Sequence, residues 1–173
     1  MTTYIVAQTP LTITGYDGLV SALGEWTGRD DLAARAPDFI DLAEARLRRL
    51  ITAPEMETQL TITSAASIPL PVDFDSIRSL YLTSNPRRLV TQVSPAEFYG
   101  RSNDYQGQPA VFAIVAGNLL FSPTPDASYS AVLTYLASIP ALGSGLQANW
   151  LLAGHPDIYL YASLIQAEFF GWN

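Results

Sequence analysis

Residues 149–173 read Asn-Trp-Leu-Leu-Ala-Gly-His-Pro-Asp-Ile-Tyr-Leu-Tyr-Ala-Ser-Leu-Ile-Gln-Ala-Glu-Phe-Phe-Gly-Trp-Asn, and this stretch decides how the chain must fold. Pro156 suits the first turn of a helix, where a missing N–H loses no intrahelical partner. Beyond it nearly every position to Phe170 is apolar or aromatic. Ile158, Tyr161, Ala162, Ile165 and Phe169 make one stripe, and Tyr159, Leu160, Leu164, Ala167 and Phe170 cover much of the rest. A helix apolar nearly all round is buried on most sides or spans a membrane. At about 14 residues this one is short of the roughly 20 that spanning takes. It therefore predicts a helix packed both on its own domain and on something else, another subunit above all.

Such a helix needs a partner within the chain. Pro37 opens the best one, in which Ile40, Ala43, Leu47, Leu50 and Ile51 form the buried stripe and Pro54 closes the element. Asp38 and Asp41 near its start and Arg46, Arg48 and Arg49 near its end complement the helix dipole. Glu44 and Arg48 stand at i,i+4, an ion pair of about 0.2–0.5 kcal/mol. Ahead of it, Tyr16, Leu19, Val20, Leu23 and Trp26 space a short first helix that Gly28 ends, and Asp30 or Asp31 is placed to cap a turn over residues 32–36.

Between the helical ends the period switches to alternation. Strands are predicted over 58–63, 68–70, 77–83, 88–93, 111–115, 118–121 and 129–137, with a tight hairpin turn at Ala116-Gly117 and a helical turn from Pro95 to Phe98. Residues 139–148 read as a Pro/Gly/Ser linker. The expected architecture is α+β: an extended arm over 1–15, a helical lobe from 16–55 and 148–173, and an inserted antiparallel β-rich lobe over 56–147.

Bulk composition narrows the function. With 173 residues, 49% hydrophobic and 14% charged, the chain can bury a sizeable core. It has no cysteine, hence no disulfide framework, thiolate metal site or cysteine nucleophile. The net charge is −7, all nine basic residues are arginine, and such an acidic chain does not grip nucleic acid by neutralising phosphates. The first fourteen residues lack the basic n-region of a signal peptide. No membrane span is expected, and a soluble intracellular protein is the default.

Enzymatic chemistry finds little support. His155, the lone histidine, precedes Pro156 and reads as a helix-start residue rather than a general base. No Gly-x-Ser-x-Gly elbow is present, and a phosphate-binding loop that needs lysine has none to use. Asp73 with Asp75 and Asp30 with Asp31 are the visible acid pairs, a spacing common in turns and caps. No catalytic residue, metal or cofactor is expected. Arg46, Arg48 and Arg49, like Arg87 and Arg88, read first as solvated charge. Trp26, Tyr99, Tyr105 and Trp172 offer rings for stacking, more often used as core or interface anchors.

Taken in order, several stretches resemble the head-to-tail adaptor (connector) proteins of tailed bacteriophages, including the tail tubular or gatekeeper rings of short-tailed phages. Residues 38–47 (Asp-Phe-Ile-Asp-Leu-Ala-Glu-Ala-Arg-Leu) resemble the family's second helix. Residues 68–74 (Ile-Pro-Leu-Pro-Val-Asp-Phe), followed by Tyr81, resemble its strand entry, and Gly107-Gln-Pro109 with residues 112–125 its central hairpin. Tyr135, Ile139-Pro140, residues 149–152 and residues 156–162 complete the resemblance, which covers roughly 16–170.

The resemblance implies a structural, non-enzymatic ring of about twelve copies, at the neck of the virion and assembled in the host cytoplasm. It implies docking beneath the portal protein, a DNA channel that DNA passes through without specific binding, and a lower face offered to a tail or nozzle protein. The family usually continues past the terminal helix with a portal-gripping tail, so no portal-binding site is carried onto these residues. The arm over 1–15 is expected to reach a neighbouring subunit. Interface residues expected from the helical lobe are Arg46, Arg49, Trp150, Tyr159, Tyr161, Phe169 and Phe170. The alternatives are a monomeric carbohydrate-binding module using Tyr99 and Tyr105, and another neck ring such as a stopper or tail terminator.

Overall fold

The computed structural model describes residues 13–100 and 105–171. The arm expected over 1–15 falls outside them as far as residue 12, as does Trp172. The described chain forms two compact units, one from the segments up to Thr52 and from Ile139 onward, the other from Ala53–Ser138.

The first unit is helical. α1 (Tyr16–Thr27) buries Leu19, Ala22 and Leu23 and stops at Gly28, whose φ of 60° is the left-handed conformation that glycine adopts without strain. Its own N-cap, Gly15, has no side chain to offer. Gln147 serves instead: its main-chain oxygen accepts from Tyr16 N–H at 2.6 Å and its Oε1 from Asp17 N–H at 3.3 Å. A Cβ on Gly15 would stand 3.2 Å from that same Gln147 oxygen, so the glycine admits the cap. α2 (Asp30–Ala33) is a single turn without a side-chain cap; Asp31, expected to cap it, instead accepts from Arg29 at 2.7 and 3.1 Å.

α3 (Ala36–Leu50) carries proline in its first turn, Asp38 near its start and Arg48 and Arg49 in its last turn. It buries Ala36, Phe39, Ile40, Ala43 and Leu47. α5 (Trp150–Gly154) is capped by Asn149, whose side-chain oxygen accepts from Leu152 N–H at 2.9 Å. α6 (Pro156–Gly171) packs along α3 and touches α1 and α5. Its inward side carries Tyr159, Leu160, Ser163 and Ala167.

The second unit is a sandwich of two four-stranded sheets with the short helix α4 (Pro95–Gly100). One sheet has the order β1 (Glu57–Thr63), β8 (Ser130–Ala137), β3 (Phe74–Leu82), β4 (Arg88–Leu89), antiparallel throughout. The other has β2 (Ser67–Pro69), β7 (Asn118–Ser122), β6 (Val111–Val115), β5 (Thr91–Gln92). Here β5 runs parallel to β6, a local departure from the expected all-antiparallel lobe. The single strand expected over 88–93 is two: Val90, 1% exposed, bonds Leu80 and lies between segments that pair into opposite sheets. Leu80, Leu82 and Leu133 of one sheet meet Phe112, Leu119 and Phe121 of the other in the core. The β6–β7 turn holds Ala116 at φ 47° and Gly117 at φ 75°, both positive as a two-residue hairpin of this hand requires.

Candidate functional site: the surface of the helical unit

The interior of the helical unit is organised by one buried carboxylate. Glu44 is 3% exposed. Its Oε1 accepts from Leu142 N–H at 2.8 Å and from the Tyr159 hydroxyl at 3.2 Å, and its Oε2 accepts from Arg48 Nη2 at 2.9 Å. Arg48 also donates through Nε to Ile139 O at 3.0 Å. Asn149 donates through Nδ2 to the Tyr159 oxygen at 2.7 Å and to Pro140 O at 2.8 Å. The segment 139–148, expected as a plain linker, is thereby bonded to α3 through Ile139 and Leu142, and through Pro140 to Asn149, which in turn holds Tyr159 of α6.

Burial pushes the Glu44 carboxyl above the usual carboxylate range, against the lowering pull of the Leu142 N–H, the Arg48 charge and the Tyr159 hydroxyl. The Tyr159 phenol is likewise pushed up, by burial first and by the neighbouring Glu44 charge. No buried side-chain polar atom of this group lacks a partner, so the group holds the fold together.

This reassigns one expected interface residue. Tyr159 is fully buried inside its own unit and presents nothing to a neighbour. The helix that reads as apolar all round is two-sided: Tyr159 and Leu160 face in, while Tyr161, Ile165 and Phe169 are 55%, 46% and 70% exposed. Trp26 of α1, also exposed, meets Tyr161 edge to face at 6.0 Å. Phe170 lies between: half its surface is open, and its ring packs on Phe39 at 5.8 Å with the Arg35 guanidinium 5.0 Å from its centre. Trp150 is half-buried. Arg46 and Arg49 are exposed on α3 beside exposed Leu42.

A groove of about 630 Å³ runs beside the exposed stripe, lined by Trp26, Arg29, Leu32, Tyr161, Ile165 and Glu168 among others. Its lining mixes aromatic rings with one acid and one base and brings no nucleophile and base together. Among the described residues no cluster of histidine and acidic side chains could hold a metal. Among the described residues no helix is long and apolar enough to cross a membrane.

The groove and the stripe lie side by side on the helical unit and offer no constellation for chemistry. The model of the SU10 adaptor protein family matches residues 14–173. The chain belongs to that family, a family of phage head-to-tail adaptors. No curated protein matches the chain. Family membership makes this adaptor a structural component of the virion at the head–tail junction, with other virion proteins as its partners and a non-enzymatic role.

The other candidate residues disperse. His155 is exposed at the end of α5, immediately before α6. Asp73 accepts from the Tyr135 hydroxyl at 3.1 Å and its main-chain oxygen from Ser138 N–H, so it fastens β3 to the end of β8, while Asp75 is exposed. Asp31 is tied to Arg29, which holds its carboxyl below the usual range. In the β unit Arg88 donates to Gln108 at 3.1 Å, and Arg87 lines a shallow hollow with Gln59, Tyr81 and Thr134. Tyr99 and Tyr105 are exposed rings of the β unit, whereas Trp26 belongs to the helical one. Glu44 was legible only as half of an i,i+4 ion pair; the signal of its burial, an apolar flank at Ile40, Ala43 and Leu47, sat in the same stripe.

Proposed function

We propose that this adaptor is the subunit of a homo-oligomeric ring of about twelve copies that docks beneath the portal, extends the DNA channel and offers its far face to the next tail component. Assembly takes place in the host cytoplasm. The observation that carries the proposal is the uncovered stripe of Tyr161, Ile165 and Phe169, with Trp26 beside it, on a helix whose opposite side is fully packed. Aromatic side chains of about 150–250 Å² each, roughly half exposed, make a patch on the order of 400 Å², comparable to the largest patch on a typical monomer, which is often functional. Tyr161, Phe169, Phe170 and Trp150 are assigned to subunit or partner contact, with Arg46 and Arg49 on the α3 side. The acidic balance of the chain suits a channel wall along which DNA slides without being held.

Co-sedimentation with the cognate portal ring tests the proposal. Saturation near twelve copies per portal supports it. Absence of binding by the full-length chain overturns portal docking and moves the assignment to another neck ring, a stopper or tail terminator.

A further inference from the structure

Five arginines lie in the described part of the helical unit, and they divide sharply. Arg29 pairs with Asp31, Arg35 stacks on Phe170, and Arg48 holds Glu44 and Ile139. Arg46 and Arg49 hold no hydrogen bond or ion pair among the described residues. They share one side of α3 with Leu42, a spacing of four and three residues that stacks side chains on successive turns. Leu42 is 56% exposed, and Leu50 at the end of the same helix is also exposed. This face joins uncommitted positive charge to open apolar surface.

The groove beside α6 has the opposite character. Its walls are the Trp26 and Tyr161 rings and Ile165; Arg29 on its lining is held by Asp31, and with Glu168 also on the lining and exposed Glu25 one residue from Trp26, acids outnumber bases there three to one. Guanidinium groups seat on aromatic faces and pair with carboxylates, and a leucine fills an apolar groove. The two surfaces are complementary in charge and in apolar character, and one chain carries both on different helices.

We infer that copies of this adaptor join head to tail, the Leu42–Arg46–Arg49 face of one copy occupying the Trp26–Tyr161–Ile165 groove of the next. The inference deepens the ring proposal and rests on it. A contact between two different surfaces repeats from copy to copy and closes when the rotation allows, which is what a ring requires. Pairing the α3 face with itself sets Arg46 and Arg49 against their own copies, and pairing the groove with itself sets Glu168 and Glu25 near theirs, so both fail on charge.

The absence of cysteine makes the test clean. Arg46→Cys and Ile165→Cys chains, one of them isotope-labelled, are mixed and oxidised, and the disulfide dimers are weighed by mass spectrometry. Leu42→Cys with Tyr161→Cys serves as a second pair, and circular dichroism checks that each variant is folded. The expected result is a several-fold excess of the hybrid dimer over the two homodimers together. Equal amounts of hybrid and summed homodimers, as random collision gives, overturn the pairing. A second arm uses Arg46→Glu/Arg49→Glu and Ile165→Glu/Phe169→Glu chains in sedimentation velocity. Each alone should stay monomeric, and their mixture should stop at a one-to-one pair, since each brings one intact surface. Growth of either variant alone into larger species overturns the inference. Portal saturation together with random disulfides keeps the ring and removes this pairing; hybrid excess without portal binding does the reverse.

Discussion

Replacing Glu44 with alanine should be the most damaging single change in the helical unit. The side chain is 3% exposed and accepts three hydrogen bonds. Its removal strands the Leu142 N–H, 6% exposed with its residue, and the hydroxyl hydrogen of Tyr159, 0% exposed. Each buried donor left without a partner costs about 1–3 kcal/mol. Arg48 adds little, because its side chain is 32% exposed, water reaches it, and its Nε keeps Ile139 O. The sum is about 2–6 kcal/mol, which brackets the roughly 3–5 kcal/mol seen when one member of a buried pair is removed. An exposed i,i+4 pair would lose only about 0.2–0.5 kcal/mol. At roughly 2–4 °C per kcal/mol for a chain of this size, the midpoint should fall by roughly 4–24 °C.

Tyr159→Phe is the internal comparison. Glu44 keeps Leu142 and Arg48, and Asn149 keeps Pro140 and Leu152, so the cost should be about 1 kcal/mol. Tryptophan fluorescence in a urea titration is the assay, since Trp26, Trp150 and Trp172 all lie outside residues 53–138 and report on the other unit. A Glu44→Ala variant within about 0.5 kcal/mol of wild type, the range of ordinary surface changes, would refute the reasoning.

Other outcomes follow from the same geometry. Because burial raises the Glu44 carboxyl above its ordinary 4.5, the neutral form is favoured in the fold, and that contribution is full below 4.5 and lost as pH rises through the raised value. Wild type should therefore lose stability relative to the non-titrating Glu44→Gln as pH rises from about 4.5; parallel urea midpoints across pH 4–8 would contradict this. Ala116→Asn should raise stability by roughly 0.5–1 kcal/mol, since asparagine tolerates the positive φ at which alanine is strained, and thermal denaturation of the two proteins decides it. Phe169→Ala should leave unfolding stability within about 0.5 kcal/mol of wild type while lowering the copies retained on portal rings, and Tyr161→Ala should lower retention at a stability cost of about 0.5–1.5 kcal/mol, because its ring also meets Trp26. Phe170→Ala should lower both, because its ring also packs on Phe39 and Arg35.

Much of the fold is legible from local pattern because local physics decides it. Pro37 with the Ile40–Ala43–Leu47 stripe announces α3, Pro156 announces α6, and Ala116-Gly117 announces the β6–β7 turn. What escapes depends on partners distant in sequence. Leu142 and Tyr159 meet Glu44 across 98 and 115 residues, and no window along the chain contains them together. The split of residues 88–93 between two sheets escapes for the same reason: alternation gives the same pattern whether a strand stays in one sheet or changes over at Val90. At the candidate site the sequence shows that α6 is too apolar for one partner, yet not which side remains open. Tyr159 and Tyr161 are chemically alike and two residues apart, and only the position of α3 makes one a core residue and the other a surface one.

The helical unit is woven from segments on either side of the β unit, and this fixes an order of events during synthesis. Residues 53–138 leave the ribosome as an uninterrupted piece with a core of their own. α1 and α3 emerge earlier still, but Glu44 waits for Leu142 and Tyr159, and α3 for the helix that covers it. Tyr161, Ile165 and Phe169 are made after every other described strand and helix has been translated. A chain stopped before α6 thus lacks both the cover for α3 and the Tyr161–Ile165 wall that the head-to-tail proposal needs, so under that proposal translation itself delays the joining of copies.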